Sequence, residues 1–187
     1  MIIGIIGSAG VGKNTVANII SEKYNFKIDS FAAPVKDICS LIFNYDRNKI
    51  EGDTIESRLW RETIDTEWSS KLNKSITPRY CMQLVGTEFG RNLIHPDIWI
   101  LSLFERNKNN NVIISDVRFL NEADAIRNNG GILIRVTRSN NLETNKNLET
   151  NKHISELEHN KIKEDFIIDN NGTIDDLKVE INNILNK

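Results

Sequence analysis

The sequence predicts an α/β fold, a parallel sheet covered by helices on both faces. Two observations carry this. Short apolar runs alternate with helix-period segments from residue 2 to residue 185, the signature of strands joined by helical crossovers. The first run also opens into a glycine-rich turn that leads directly into a helical pattern, which is the joint of a βα unit. A third observation refines the architecture. Residues 34–106 contain no convincing strand, so a helical insertion is expected beside the sheet, with core segments at 1–33 and 107–187 of a single domain.

Residues 2–6 read as a buried strand, and residues 13–24 as the helix after it, with Val16, Ala17, Ile19 and Ile20 inward. Lys27 to Phe31 read as a second strand. Pro34 opens a helix at a position where its missing N–H costs nothing; Val35, Ile38, Cys39, Leu41 and Ile42 are expected on one side. Residues 44–56 are polar and read as a loop. Helices are expected from about Glu56 to Leu72, from Pro78 to about Leu93, and from Pro96 to Arg106. Asn111 to Ser115 read as a strand ending at Asp116. Helix 121–128 stops at Asn129-Gly130-Gly131, a C-cap signal. Ile132 to Val136 and Phe166 to Ile168 are the last strands. Thr173 to Leu185 make a terminal helix with Asp175 and Asp176 in its first turn.

The chain has 187 residues, 39% hydrophobic and 27% charged, with a formal net charge of −2. These are globular values for one domain. The balance gives no drive toward nucleic acid or a membrane surface, so a polyanionic ligand must be met by local charge. No apolar run reaches membrane-spanning length, and residues 2–6 do not make a signal peptide. Cys39 and Cys81 lack metal-ligand spacing and read as buried thiols in a reducing, cytoplasmic setting. No heptad or exposed apolar stripe stands out to fix an oligomeric state; a monomer or a homodimer is expected.

The turn carries the chemistry. Gly7-Ser-Ala-Gly-Val-Gly-Lys-Asn-Thr15 has the P-loop spacing of Gly7, four residues, Gly12 and Lys13. Gly7, Gly10 and Gly12, with Val11 between them, allow backbone turns that aim successive N–H groups at a phosphate. The following helix adds its positive end. Lys13 supplies a mobile charge for the outer phosphates. The predicted ligand is a nucleoside triphosphate, ATP with Mg2+. Asn14 stands where a Ser or Thr is usual, and Thr15 comes one residue later.

Asp116, at the end of a hydrophobic strand, is expected to face the magnesium–phosphate site with Thr15, directly or through water. Arg118 lies two residues on, within reach of a moving phosphoryl group. Arg79, Gln83, Thr87 and Arg91 recur at steps of four and so share one helical face. Arginine suits phosphate through its bidentate fork, and a glutamine amide can read a base edge. Arg138 follows a strand, where a lid arginine is expected. His153 lies in the same long polar segment, about 138–160, which reads as a lid. Residues 141–152 repeat Asn-Leu-Glu-Thr-Asn-Lys twice, too short a unit for a solenoid.

The chain resembles the bacteriophage-type deoxynucleoside monophosphate kinases within the P-loop nucleotide kinase superfamily. The resemblance rests on Gly-Lys-Asn-Thr at 12–15, Ala-Ala-Pro-Val-Lys-Asp at 32–37, Met-Gln-Leu-Val-Gly-Thr-Glu at 82–88, Ser-Asp-Val-Arg at 115–118, His-Ile-Ser-Glu at 153–156 and Asp-Asn-Asn-Gly-Thr-Ile-Asp-Asp-Leu at 169–177. It implies a five-stranded parallel sheet, a helical monophosphate-binding region, a lid, and transfer of the ATP γ-phosphoryl to a deoxynucleoside monophosphate. It places Lys36, Arg79, Gln83 and Arg118 near the acceptor and Arg138 near the lid. It departs at Asn14, where the family has aspartate, and at residues 44–76. Two alternatives remain at this point. One is another small-molecule kinase of dephospho-coenzyme A kinase type. The other is a non-catalytic nucleotide-binding regulatory module.

Overall fold

A computed structural model describes residues 1–8, 10–139 and 159–186. The strands are β1 (Ile2–Ile6), β2 (Lys27–Asp29), β3 (Val112–Ile114), β4 (Ile132–Thr137) and β5 (Phe166–Asp169). They form one parallel sheet of order β2-β3-β1-β4-β5. β1 is central, with Ile3 opposite Ile113 of β3 on one side and Ile132 of β4 on the other. β1, β3 and β4 are nearly continuous apolar runs because helices cover both faces.

The chain divides into two compact units. The sheet unit comprises Met1–Phe31 and Leu103–Lys187. Its helices include α1 (Lys13–Tyr24), α8 (Leu120–Asn128) and α9 (Ile174–Leu185). α1 buries Val16, Ala17 and Ile20, and α9 buries Leu177 and Ile181. Both pack with Ile5, Ile134 and Ile168 of the sheet in one apolar cluster. The second strand ends at Asp29, earlier than its pattern suggests, because the Asp29 carboxylate accepts from the Ser30 amide at 2.7 Å and turns the chain.

The helical unit comprises Ala32–Ser102. It holds α2 (Ala33–Phe43), α3 (Arg47–Glu51), α4 (Ile55–Glu62), α5 (Thr66–Leu72) and α6 (Pro78–Gln83). A π-helix (Leu84–Ile94) and the start of α7 (Ile98–Arg106) follow. Three expectations are corrected here. Residues 44–56 are not simply a loop, since Asp46 caps α3 by accepting from Asn48 N at 2.8 Å. The helix expected over 56–72 is two helices, because Asp65 accepts from Trp68 N and starts a new one. The helix expected over 78–93 changes to π geometry at Leu84. On α2, Val35 and Cys39 face inward while Leu41 and Ile42 are exposed, a narrower apolar stripe than expected.

Cys39 and Cys81 are free and buried, as expected. Burial pushes the Cys39 thiol up to about 12, with Cys81 adding to the shift. Phe43 stacks on Tyr45, whose ring meets Trp60 edge-on. Gly52, at φ +76°, closes α3. The Arg61 guanidinium occupies the space a Cβ there would need. Among the described residues no helix is long and apolar enough to cross a membrane.

Candidate active site

The carboxyl ends of parallel strands are where α/β sheets bind ligands, and the chemistry-bearing residues of the sheet unit gather at that edge. The central strand β1 runs into the glycine turn. Gly7 sits at φ +153°, and a Cβ there would come within 2.6 Å of the Val136 carbonyl oxygen. Gly12 is the N-cap of α1 at φ +100°. Any side chain at Gly12 would meet the Asn170 amide, which itself donates to the Val11 carbonyl at 2.8 Å.

The start of α1 differs from that of α3, α4, α5 and α6. Those helices are capped by Asp46, Thr54, Asp65 and Thr77. α1 has no side-chain cap, and its first turn holds no acidic residue. The positive dipole end of α1, facing the glycine loop, therefore carries no acidic side chain that would compete with an anion. Lys13 donates to the carbonyls of Gly7 and Ser8, both at 2.8 Å, so its ammonium lies over the loop and not in the core. Asn14 is exposed and Thr15 half-buried at the same helix end.

Asp116 follows β3 and accepts from Phe31 N at 2.9 Å, which ties the exit of β3 to the segment after β2. Arg118 is exposed two residues later. Its backbone N–H and that of Phe119 donate to Glu122, a buried carboxylate at the start of α8. Arg138 is exposed immediately after β4. Beside it, Asn171 accepts from Ser139 N and donates to Ser139 Oγ, both at 2.8 Å.

Asp29 anchors the same edge. Its buried carboxylate accepts from Asn107 Nδ2 at 2.7 Å and Arg106 Nη2 at 3.1 Å. Burial pushes its pKa up, but these hydrogen bonds and that of Ser30 outweigh it, so the carboxyl lies below its ordinary value.

In the helical unit, Lys36 is ion-paired with Glu51, which Arg47 also contacts; Arg47 reaches Asp37 at 2.6 Å. Burial raises the Glu51 pKa, and the two cations more than reverse it. Arg79 pairs with Glu62. Gln83 is exposed; Thr87 and Arg91 are half-buried on the π-helix, where Arg91 Nη1 donates to the Pro96 carbonyl at 3.4 Å. Arg58 and Arg61 donate to backbone carbonyls of residues 51–53, so they brace the α3–α4 turn. His153 and most of the expected lid lie outside the described residues.

Sequence reasoning missed Asp29, Glu122 and Asn170. Asp29 and Asn170 could have been found by position alone, since each lies at the carboxyl end of a strand.

The model of the deoxynucleotide monophosphate kinase family matches residues 61–181. A putative deoxynucleotide monophosphate kinase of Acanthamoeba polyphaga mimivirus is 32% identical, over 97% of this chain and 94% of its own length. The deoxynucleoside-5′-monophosphate kinase of Escherichia phage T5 is 27% identical, over 68% of this chain and 72% of its own. In fold the chain is similar to shikimate kinase from Aquifex aeolicus, with a TM-score of 0.50, 18% identity, and coverage of 100% of this chain and 96% of that one. The glycine loop on a central parallel strand, the matched family model and the near-full-length viral relative agree: the chain belongs to the deoxynucleotide monophosphate kinase family.

Proposed function

We propose that this chain transfers the γ-phosphoryl of ATP to the 5′-phosphate of a deoxynucleoside monophosphate, giving the diphosphate and ADP. The observation that carries the reading is the uncapped, acid-free start of α1 behind a glycine loop, with the Lys13 ammonium lying over that loop. It supports a bound polyphosphate, and family membership supports the acceptor class.

The acceptor is already an ionised nucleophile at neutral pH, since the second phosphate pKa is about 6. No general base is needed. An acceptor oxygen bonds to the γ-phosphorus as the bond from phosphorus to the β–γ bridging oxygen breaks, and ADP leaves with that electron pair. Catalysis is then positioning and charge neutralisation. The amides of the Gly7–Gly12 turn and the first turn of α1 hold the phosphates. Lys13 exchanges its two carbonyl contacts for phosphate oxygens. Arg118 and Arg138 are the cations assigned to the moving phosphoryl. Lys36, Arg79, Gln83, Thr87, Arg91 and His153 are assigned to the acceptor. Arg79 and Lys36 would trade a carboxylate partner for a phosphate.

The donor set suits Mg2+. Thr15 and Asp116 offer hard oxygens, and the described residues hold no cluster of three or more His, Cys, Asp or Glu that would make a protein cage. A magnesium ion carried by phosphates needs only one or two protein oxygens and keeps its waters. When bound, it would offset charge on the β- and γ-phosphates. The cytoplasm, where ATP and nucleotides are held, is the place of action in this reading.

The test is a screen of the common deoxy- and ribonucleoside monophosphates, and dephospho-coenzyme A, with ATP and Mg2+. Acceptor-dependent ADP release with one or more deoxynucleoside monophosphates is expected. ATP binding without acceptor-dependent turnover would instead make the chain a regulatory module, and turnover with dephospho-coenzyme A alone would reject the acceptor class.

A further inference from the structure

The eleven-residue π-helix, Leu84–Ile94, carries Thr87 and Arg91. Such helices are rare and occur mostly as single turns, often at functional sites. Something outside the segment must hold this one, and Trp99 is placed to do so. Its indole Nε1 donates to the Gly86 carbonyl at 2.7 Å. Its ring lies against Gly90, where an added Cβ would fall within 2.8 Å of Nε1 and nearer still to the ring carbons. The segment ends in a five-residue hydrogen bond, from His95 N to the Gly90 carbonyl at 3.1 Å. Gly86 and Gly90 thus give the indole a seat one π turn long. Trp99 is itself almost fully buried in the helical unit.

The geometry has a consequence for the polar stripe. In an α-helix, each step of four residues rotates a side chain by about 40° around the axis. Over Arg79, Gln83, Thr87 and Arg91 the stripe would spread through about 120°. In a π-helix, at roughly 4.4 residues per turn, the same step rotates it by roughly 30° the other way. One α step followed by two π steps keeps the four within roughly 70°.

We propose that Trp99 is a positioning residue: with Gly86 and Gly90 it fixes the π register that keeps Gln83, Thr87 and Arg91 in line with Arg79 for the acceptor nucleotide. The inference rests on the acceptor role given to that stripe under Proposed function. Trp99 touches no substrate in this account and acts only through the register.

The test uses the full chain with ATP and each of dAMP, dGMP, dCMP and dTMP. Trp99→Phe keeps the ring and removes the N–H; Gly90→Ala displaces the indole by an independent route. Both should raise the KM for the accepted monophosphate at least tenfold while the KM for ATP stays within twofold. Gln83→Ala and Arg91→Ala are assayed in parallel. If these two raise the acceptor KM but Trp99→Phe and Gly90→Ala only lower the melting temperature, Trp99 is merely structural and the inference is overturned while the acceptor stripe stands. If Gln83→Ala and Arg91→Ala leave the acceptor KM unchanged, the acceptor reading fails and takes the inference with it. Amide exchange of the unmodified chain gives a check independent of any variant. Saturating acceptor should slow exchange across residues 84–95 by tenfold or more, and no protection there would also overturn the proposal.

Discussion

The Asn170 side chain donates to the Val11 carbonyl at 2.8 Å, so the turn after the last strand holds the glycine loop that follows the first. The same amide fills the space above Gly12. Asn170→Ala should therefore loosen the loop without unfolding the sheet. A lost hydrogen bond of this kind costs on the order of 0.5–1.5 kcal/mol. The KM for ATP should rise several-fold, with the acceptor KM nearly unchanged. Steady-state kinetics with each substrate varied separately check this, and an equal rise in both constants would count against a role confined to the loop.

Lys13 contributes charge and not packing. It contacts two carbonyls of its own loop. Lys13→Ala should lower turnover at least a hundredfold, a barrier increase of roughly 2.7 kcal/mol or more. The melting temperature should stay within a few degrees. Circular dichroism paired with turnover measurements decides the matter; a folded variant with near-normal turnover would end the phosphate-loop assignment.

Asp116 and Asn14 separate the magnesium question from the fold. Asp116 accepts from Phe31 N, a contact that Asn can also accept through its carbonyl oxygen. Asp116→Asn should keep the fold, depress turnover strongly and raise the magnesium concentration needed for half-maximal rate. Asn14→Asp should keep or raise activity. A titration of rate against magnesium for both variants is the measurement. An unchanged magnesium dependence in Asp116→Asn would assign that carboxylate some other task.

Asp29 and Glu51 contribute to the acid response of stability. Both are held below their ordinary values, because hydrogen bonds and cations outweigh the opposing effect of burial. A depressed folded-state pKa means that the unfolded chain binds the proton first. The stability they contribute is complete above the unfolded values, about 3.9 for Asp and 4.3 for Glu, and is lost as pH falls through the folded ones. Asp29→Asn should cost on the order of 1.5–3 kcal/mol at neutral pH, the range for hydrogen bonds to a charged group. It should also flatten the acid side of the curve. Urea midpoints from pH 7 down to pH 3 show both effects; a parallel downward shift with no change of slope would mean that Asp29 titrates alike folded and unfolded.

The sheet was legible in the sequence because parallel strands are buried on both faces. Ile2–Ile6, Val112–Ile114 and Ile132–Thr137 therefore stand out as apolar runs. The glycine loop was legible because its spacing answers to a ligand and not to a neighbour. The helical unit was read less well. Asp46 and Asp65 act as caps within stretches that composition alone reads as one loop or one helix. The π-helix was hidden for a different reason: its hold comes from Trp99, thirteen positions beyond the carbonyl it binds. Arg79 and Arg91 could be picked out as a stripe, but the carboxylate that Arg79 pairs with, Glu62, lies seventeen positions away.

The strand order has a consequence for how the chain is made. β1 is completed on one side by β3 and on the other by β4, and both lie after the whole helical unit in the chain. β1 must wait for both of its partners until β4, which ends at Thr137, has been made. Pairings so distant in sequence close late and slowly. The helical unit, contiguous in sequence, has no such wait. The glycine loop thus precedes in sequence both strands that flank β1, and its support in the sheet is complete only after both have been made.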